Sequence, residues 1–253
     1  MPDESIKAEN YKENDPRDYT NHDQWLKNIE MYRKSGKILY PSTHHIYDFV
    51  KNYCIDFTKN HPQYPDFIWK PKICDVGCGG GFGSNLLSQE ADFVWGIDKS
   101  VPSIRWAQAV FTREKNGVYY SPQVSFEVID ILNEPRELMA FDIVVCVEVI
   151  EHVGDYTKLL SLLKRLCKKP GWKGYTEGTD DTKVFISTPC RNHHKISEEG
   201  PKNKQHVREW KPAELYDILT KHFKFVTLMN ERGELRDLDM QEAVMLFKCE
   251  CPK

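Results

Sequence analysis

The run Lys72-Ile73-Cys74-Asp75-Val76-Gly77-Cys78-Gly79-Gly80-Gly81-Phe82-Gly83-Ser84 constrains the fold more than any other part of the chain. A short apolar strand enters a glycine turn, and residues suited to a helix follow. Glycine admits positive φ and lets a ligand come close to the backbone, while the first turn of the helix presents unpaired N–H groups. The segment therefore reads as a ligand cradle. A second acid, Asp98, closes the next apolar run at Gly96-Ile97-Asp98, 98−79 = 19 residues after Gly79. In dinucleotide-type folds an acid at that distance holds ribose hydroxyls. The loop does not satisfy G-x-G-x-x-G: read from Gly77 the third glycine falls on Phe82, and read from Gly79 it falls on Ser84. A nicotinamide or flavin pyrophosphate site is thus disfavoured, and no G-x-x-x-x-G-K-[ST] phosphate loop occurs.

Downstream, short apolar runs alternate with helical patterns, as in repeated βα units feeding a parallel sheet. Strands are predicted at Lys72 to Val76, Phe93 to Ile97, Val124 to Val128, Phe141 to Val147 and Lys183 to Ser187. Helices are predicted at Thr43 to Cys54, Gly83 to Gln89, Pro102 to Glu114 and Tyr156 to Cys167, and from the Lys211-Pro212-Ala213-Glu214 start to about His222. Two last strands, Lys224 to Met229 and Ala243 to Cys249, have no helix between them and read as an antiparallel hairpin at a sheet edge. The expectation is an α/β fold: a doubly wound, mostly parallel seven-stranded sheet with a C-terminal antiparallel hairpin strand.

A chain of 253 residues suits one large domain, expected at 36–253, behind a polar N-terminal arm or lid at 1–35. With 40% hydrophobic and 29% charged residues, no long apolar run and no basic-then-apolar start, no membrane span or secretory leader is expected, and the cytoplasm is the expected location. The eight cysteines form no C-x-x-C pair, several fall in predicted strands, and reduced buried thiols are expected. A net charge of −3 argues against a surface that binds nucleic acid throughout. No pattern sets an oligomeric state.

The segment D-V-G-C-G-G-G-F-G resembles the first motif of class I S-adenosylmethionine-dependent methyltransferases, and the resemblance covers residues 72 to about 250. It implies S-adenosyl-L-methionine as cofactor. By that resemblance Asp75, Gly77, Gly79 and Gly81 line the methionine portion, Asp98 takes the ribose, and Asp130, after the third strand, lies near adenine.

Phe141 to Val153, with Val147-Glu148-Val149-Ile150-Glu151-His152, resembles the fourth-strand motif of the family's ubiquinone-biosynthesis-like O-methyltransferases. That resemblance makes Glu148 part of the methionine pocket and His152 a candidate base, without a metal. If the chain turns helical after Glu148, then Glu151 and His152, at i+3 and i+4, fall on one side with it. The same Glu-x-x-Glu-His run also resembles metal-assisted small-RNA 2′-O-methyltransferases, in which a later histidine, here His206 or the His193-His194 pair, completes a divalent site. The metal-free reading is the expectation. Nothing at this strand end resembles the Asp or Asn, two prolines and aromatic of base amino-group methyltransferases.

After the fifth strand, Thr188-Pro189-Cys190-Arg191 leads into a loop to about 211 that should roof the acceptor site. Arg191, Lys195, Lys202, Lys204 and Arg208 against Glu198, Glu199 and Glu209 leave an excess of 5−3 = 2 positive charges, which suits an anionic acceptor. Nucleic acid remains open through this loop. The Pro189-Cys190 pair is weak grounds for a thiol nucleophile, since such a cysteine needs a specific activating environment. The sequence therefore points to methyl transfer to an oxygen or nitrogen of a small, anionic acceptor, with His152 and His206 as candidate bases and Glu151 orienting one imidazole. The alternatives are a metal-assisted RNA 2′-O-methyltransferase and a non-catalytic cofactor-binding partner subunit.

Overall fold

Every side chain of Ile143-Val144-Val145-Cys146-Val147 is buried, because this strand lies mid-sheet with helices on both faces. The computed structural model describes residues 41–59, 70–115, 118–120, 123–134, 137–168, 182–194, 201 and 203–253. The expected arm at 1–35 and most of the predicted surface loop at 168–182 lie outside the described residues, as do 195–200 and 202 within the predicted roof.

The elements are α1 (Pro41–Lys59), β1 (Lys72–Val76), α2 (Phe82–Leu87), β2 (Phe93–Asp98), α3 (Val101–Phe111), β3 (Arg113–Lys115), β4 (Val118–Tyr120), β5 (Val124–Val128), β6 (Ile143–Val147), α4 (Tyr156–Arg165), β7 (Lys183–Pro189), α5 (Arg191–His194), α6 (Pro212–His222), β8 (Phe223–Met229) and β9 (Val244–Pro252). One 3₁₀ turn, Ile150–His152, follows β6. The main sheet runs β5-β2-β1-β6-β7-β9-β8. Strands β5, β2, β1, β6 and β7 are mutually parallel, while β9 is antiparallel to both β7 and β8. This is the expected doubly wound sheet with its C-terminal hairpin at one edge. The order reverses at β1, with β2 and β5 on one side and β6 and β7 on the other. A crevice therefore opens between the carboxyl ends of β1 and β6, the place where such sheets bind ligands.

The two-residue period of each strand divides the core. Cys74, Val76, Val144 and Cys146 pack with Leu159, Leu160 and Leu163 of α4 and Leu215 and Leu219 of α6. Ile73, Ile143, Val145 and Val147 face the other way, onto Ile46, Tyr47 and Val50 of α1, Leu87 of α2 and Ile104 and Ala107 of α3. Asp75 belongs by parity to this second face, under α1 and α2. The helix starts follow capping chemistry: Ser100 Oγ accepts from Ser103 N at 3.3 Å, and Asp155 Oδ1 accepts from Thr157 N and Lys158 N at 3.1 and 3.2 Å. Pro212 opens α6, where Lys211 N donates to Glu214 Oε2 at 2.9 Å.

The differences from the sequence reading are local. Helix α1 runs longer than Thr43 to Cys54 at both ends, and α3 stops at Phe111 because Arg113–Lys115 pairs with Val118–Tyr120 in a small hairpin no pattern announced. Phe141 and Asp142 precede β6 instead of belonging to it: Phe141 bridges to Cys167, and Asp142 Oδ2 accepts from Lys72 N at 2.7 Å. Among the described residues no helix separates β5 from β6, and none is long and apolar enough to cross a membrane.

Candidate active site

The glycine loop is held by backbone bonds that need left-handed residues. Gly77 N and Cys78 N both donate to Ile97 O, at 2.8 and 3.1 Å, which pins the loop to the end of β2. Gly77, Gly79 and Gly81 have φ of +73°, +52° and +77°, a region costly for side chains with a Cβ. Their surroundings differ. A Cβ on Gly77 would lie 2.4 Å from Val149 Cγ2, and one on Gly81 would lie 2.6 Å from Phe126 and 2.8 Å from Ala107. A Cβ on Gly79 would meet nothing within 4 Å, so the space beside it is open to a ligand. The Gly77–Val149 approach also places the loop directly against the chain leaving β6.

Asp98 ends β2 beside that space. Its Oδ2 accepts from Gly79 N at 3.0 Å and its Oδ1 from Ser100 N at 2.8 Å. Burial raises its pKa above the ordinary carboxylate range, and these N–H donors pull it partly back. Each oxygen keeps a lone pair for a ligand hydroxyl. Asp75 is fully buried and has both oxygens engaged within the chain: Tyr47 Oη donates to Oδ1 at 2.9 Å and Ser84 Oγ to Oδ2 at 2.6 Å. Desolvation pushes its pKa up to about 6 against the pull of those hydroxyls. Asp130 is exposed, accepting from Leu132 N at 3.1 Å and Asn133 Nδ2 at 2.7 Å.

At the end of β6 the chain turns sharply. Glu148 has φ of +55°, rare for a residue with a side chain, and a single 3₁₀ turn follows in place of the α-turn expected from the sequence. Ser187 of β7 stabilises the strained residue: its Oγ donates to Glu148 Oε1 at 2.8 Å, and its carbonyl accepts from Glu148 N at 3.3 Å. Burial, with Glu209 and Glu231 nearby, pushes the Glu148 pKa up to about 7. Glu151 is fully buried, and burial together with the Glu148 charge drives its carboxyl well above the ordinary range. Thr188 Oγ1 donates to its Oε2 at 3.0 Å, while Oε1 has no hydrogen-bond partner among the described residues.

Because the folded Glu148 binds its proton more tightly than the unfolded chain does, its share of stability is full below about pH 4.5 and is lost as pH rises through about 7. Glu148→Gln should therefore gain in melting temperature over the wild type progressively across that window. Parallel curves from pH 4.5 to 7 would contradict the shift.

The two imidazoles meet here. His152 and His206 pack edge to face with ring centroids 4.8 Å apart. Glu151 was expected to orient one of them, but its Oε1 stands 3.9 Å from His152 Nε2, beyond hydrogen-bond reach. His152 Nδ1 instead contacts Gln205 O at 3.0 Å, and His206 Nδ1 contacts Glu209 Oε1 at 2.7 Å. Asn203 Nδ2 lies 2.8 Å from His206 Nε2. This pattern assigns the proton to Nδ1, donated to Glu209, and the lone pair to Nε2. Sequence reasoning counted Glu209 only as a loop charge and missed this pairing; its spacing of three from His206 was the available signal. Backbone bonds dock the segment, since Val207 N and Arg208 N donate to Glu151 O at 2.7 and 3.4 Å. Arg208 Cζ lies 4.9 Å from the Tyr156 ring centroid and 5.8 Å from that of Trp210.

One ligand atom each from Glu151, His152 and His206 lies within 4.8 Å of the others, a donor set suited to a divalent ion. Cys190 is buried, and burial raises its pKa, the opposite of the activation a nucleophile needs. His193 is exposed and its Nδ1 contacts Gln241 O at 2.8 Å.

Comparison with known proteins agrees with this architecture. The chain is 32% identical over 120 residues to a ubiquinone biosynthesis O-methyltransferase of Nitrosomonas europaea, covering 47% of this chain and 44% of that protein. It is 27% identical over 173 residues to the one from Idiomarina loihiensis, covering 64% and 63%. The match spans about half the length of these curated relatives. In fold it resembles the magnesium protoporphyrin IX methyltransferase of Synechocystis solved with bound SAH, with a TM-score of 0.55 at 19% identity over 93% of this chain and 97% of that one. A TehB-like SAM-dependent methyltransferase of Corynebacterium glutamicum gives 0.55 at 15% identity over 91% and 97%. The pattern of the methyltransferase domain family matches residues 70–233, from the residues before β1 through the strand β8, and the chain belongs to that family.

Proposed function

We propose that the chain transfers a methyl group from S-adenosyl-L-methionine to an oxygen or nitrogen of a small, anionic acceptor, with His206 as the base. The observation that carries this is the Glu209–His206 pair, which presents an unprotonated Nε2 on the segment docked to Glu151, next to the turn that touches the glycine loop. The open space at Gly79 and the half-buried carboxylate of Asp98 fit the cofactor: Gly77, Gly79 and Gly81 would face its methionine part, Asp98 its ribose hydroxyls and Asp130 its adenine side. Glu148 would line the methionine pocket, and Asp75 would hold the loop from below. When bound, the cofactor supplies an already activated methyl on a sulfonium.

The chain's own residues supply the rest. The docked 203–210 segment fixes the acceptor in line, and His206 Nε2 takes its proton in exchange for the Asn203 contact. Glu209 holds the imidazole tautomer. His152, anchored on the Gln205 carbonyl, packs the His206 ring in place and serves as a second proton acceptor. Arg208 offers a guanidinium to an acceptor carboxylate or phosphate. The relatives named for ubiquinone biosynthesis support a small acceptor over RNA, and the retained cradle and imidazole pair support turnover over a non-catalytic partner role.

One observation favours a second reading, a divalent ion at the same place: Glu151 Oε1 is buried without a hydrogen-bond partner among the described residues, beside two imidazoles. The cofactor reading is tested by calorimetry. Asp98→Ala should weaken binding of S-adenosylhomocysteine by about 1.5–3 kcal/mol, roughly 10- to 150-fold. Unchanged affinity would remove Asp98 from the site.

A further inference from the structure

We propose that Tyr47 is a positioning residue for the cofactor loop, so that helix α1, which precedes the sheet, governs cofactor affinity through the Tyr47–Asp75 hydrogen bond. The proposal rests on the reading of the glycine loop as the cofactor cradle. Asp75 is the last polar residue before that loop, and Ser84 lies in the first turn of α2 just after it. One buried carboxylate therefore ties the entry of the loop to its exit, with bonds of 2.9 Å from Tyr47 and 2.6 Å from Ser84. Tyr47 reaches this carboxylate only because residue 83 is glycine: a Cβ there would stand 2.1 to 2.4 Å from the phenol ring. Tyr47 is 5% exposed and Asp75 0%, so water cannot replace the hydroxyl. Without the Tyr47 donor, Oδ1 loses its protein partner in the apolar layer beneath α1 and α2, where an ionised oxygen is costly. The acid then takes up a proton on Oδ1, and the neutral carboxyl accepts from Ser84 through Oδ2 without the strength of a charge-assisted bond, which loosens the bracket that keeps Gly77, Gly79 and Gly81 in their left-handed conformations.

The groups facing Asp75 are Tyr47 from α1, Ser84 from α2, Asp98 from β2, and the thiols of Cys74, Cys78 and Cys146. Those thiols are buried with pKa values raised well above the ordinary range and stay neutral. Among the described residues Asp98 is the other acid acting on Asp75, and it disfavours its ionisation. The wild-type affinity should thus fall as pH drops through about 6, where Asp75 gains its proton. Removing a hydroxyl that favours the ionised form moves this midpoint upward.

The test is calorimetric titration of the whole chain with S-adenosylhomocysteine from pH 5 to 9, for the wild type, Tyr47→Phe and Asp75→Asn. Tyr47→Phe should bind about tenfold more weakly at pH 7, with the midpoint of its pH profile displaced upward and affinity recovering above it. Asp75→Asn, which keeps an acceptor for a hydroxyl but cannot ionise, should lose the low-pH fall in affinity apart from that due to Asp98. Wild-type affinity and profile in Tyr47→Phe, with only a lower melting temperature, would overturn the proposal and leave Tyr47 a packing residue. An unaltered low-pH fall in Asp75→Asn would overturn it as well. Absence of binding by the wild type would overturn the cofactor reading together with it, which separates the two failures.

Discussion

Replacing His206 by alanine should lower kcat by about 10²–10⁴-fold with any acceptor that must lose a proton, the scale of general base catalysis. The ring sits with Nδ1 on a buried carboxylate and Nε2 available as an acceptor, the state a base requires before the reaction. Loss of the ring leaves Glu209 Oε1 without that partner, and Glu209 Oε2 is already without one among the described residues. The variant must therefore be compared at equal folded fraction. Glu209→Gln keeps the volume but loses the charge that stabilises the imidazolium, and it should cost less than the removal of His206. Added imidazole should restore part of the activity of His206→Ala. Turnover within about threefold of wild type would remove His206 from the reaction.

The second large effect separates two glycines of one loop. Gly81→Ala should destabilise the fold by about 2–5 kcal/mol, combining roughly 1–2 kcal/mol for a left-handed non-glycine residue with about 1–3 kcal/mol for overpacking. The new methyl would strike Phe126 of β5 and the Ala107 methyl of α3, both buried. Gly79→Ala meets no atom of the chain, so it should cost only the backbone strain of about 1–2 kcal/mol. Its methyl would occupy the space assigned to the cofactor, and affinity for S-adenosylhomocysteine should fall by about 10- to 150-fold. Chemical denaturation and calorimetry on the same two proteins read both effects. Equal stability losses, or a Gly79→Ala protein that binds normally, would contradict this division.

Much of the architecture was legible because it rests on local chemistry. Gly77, Gly79 and Gly81 stand where positive φ is required, and the all-apolar run of β6 announces a strand covered on both faces. Pro212 and Glu214 marked the start of α6 correctly. The geometry of the candidate site was less legible, because its decisive bonds cross long stretches of chain. Asp75 finds Tyr47 at a separation of 28 residues, and His152 finds the Gln205 carbonyl at 53. Glu148 at φ +55° carries no signal in sequence, since glycine or asparagine is the usual resident of that region. The chain leaves that residue in a 3₁₀ turn, so that Glu151 Oε2 accepts from Thr188 while Oε1 stops 3.9 Å short of His152 Nε2. Glu209 is the carboxylate that meets His206 on a segment that docks by its backbone onto Glu151 O, which no side-chain pattern reports.

Chelation tests the central claim most directly, because the same imidazoles serve either as proton acceptors or as ligands. The protein is dialysed against EDTA and assayed for release of S-adenosylhomocysteine with a pool of small hydroxyl and amino acceptors bearing carboxylate or phosphate groups. Turnover equal to that of the untreated protein is expected, with no gain on adding Mg²⁺ or Mn²⁺. Loss of activity in EDTA that either ion restores would contradict it and make Glu151, His152 and His206 the ligands of a divalent metal.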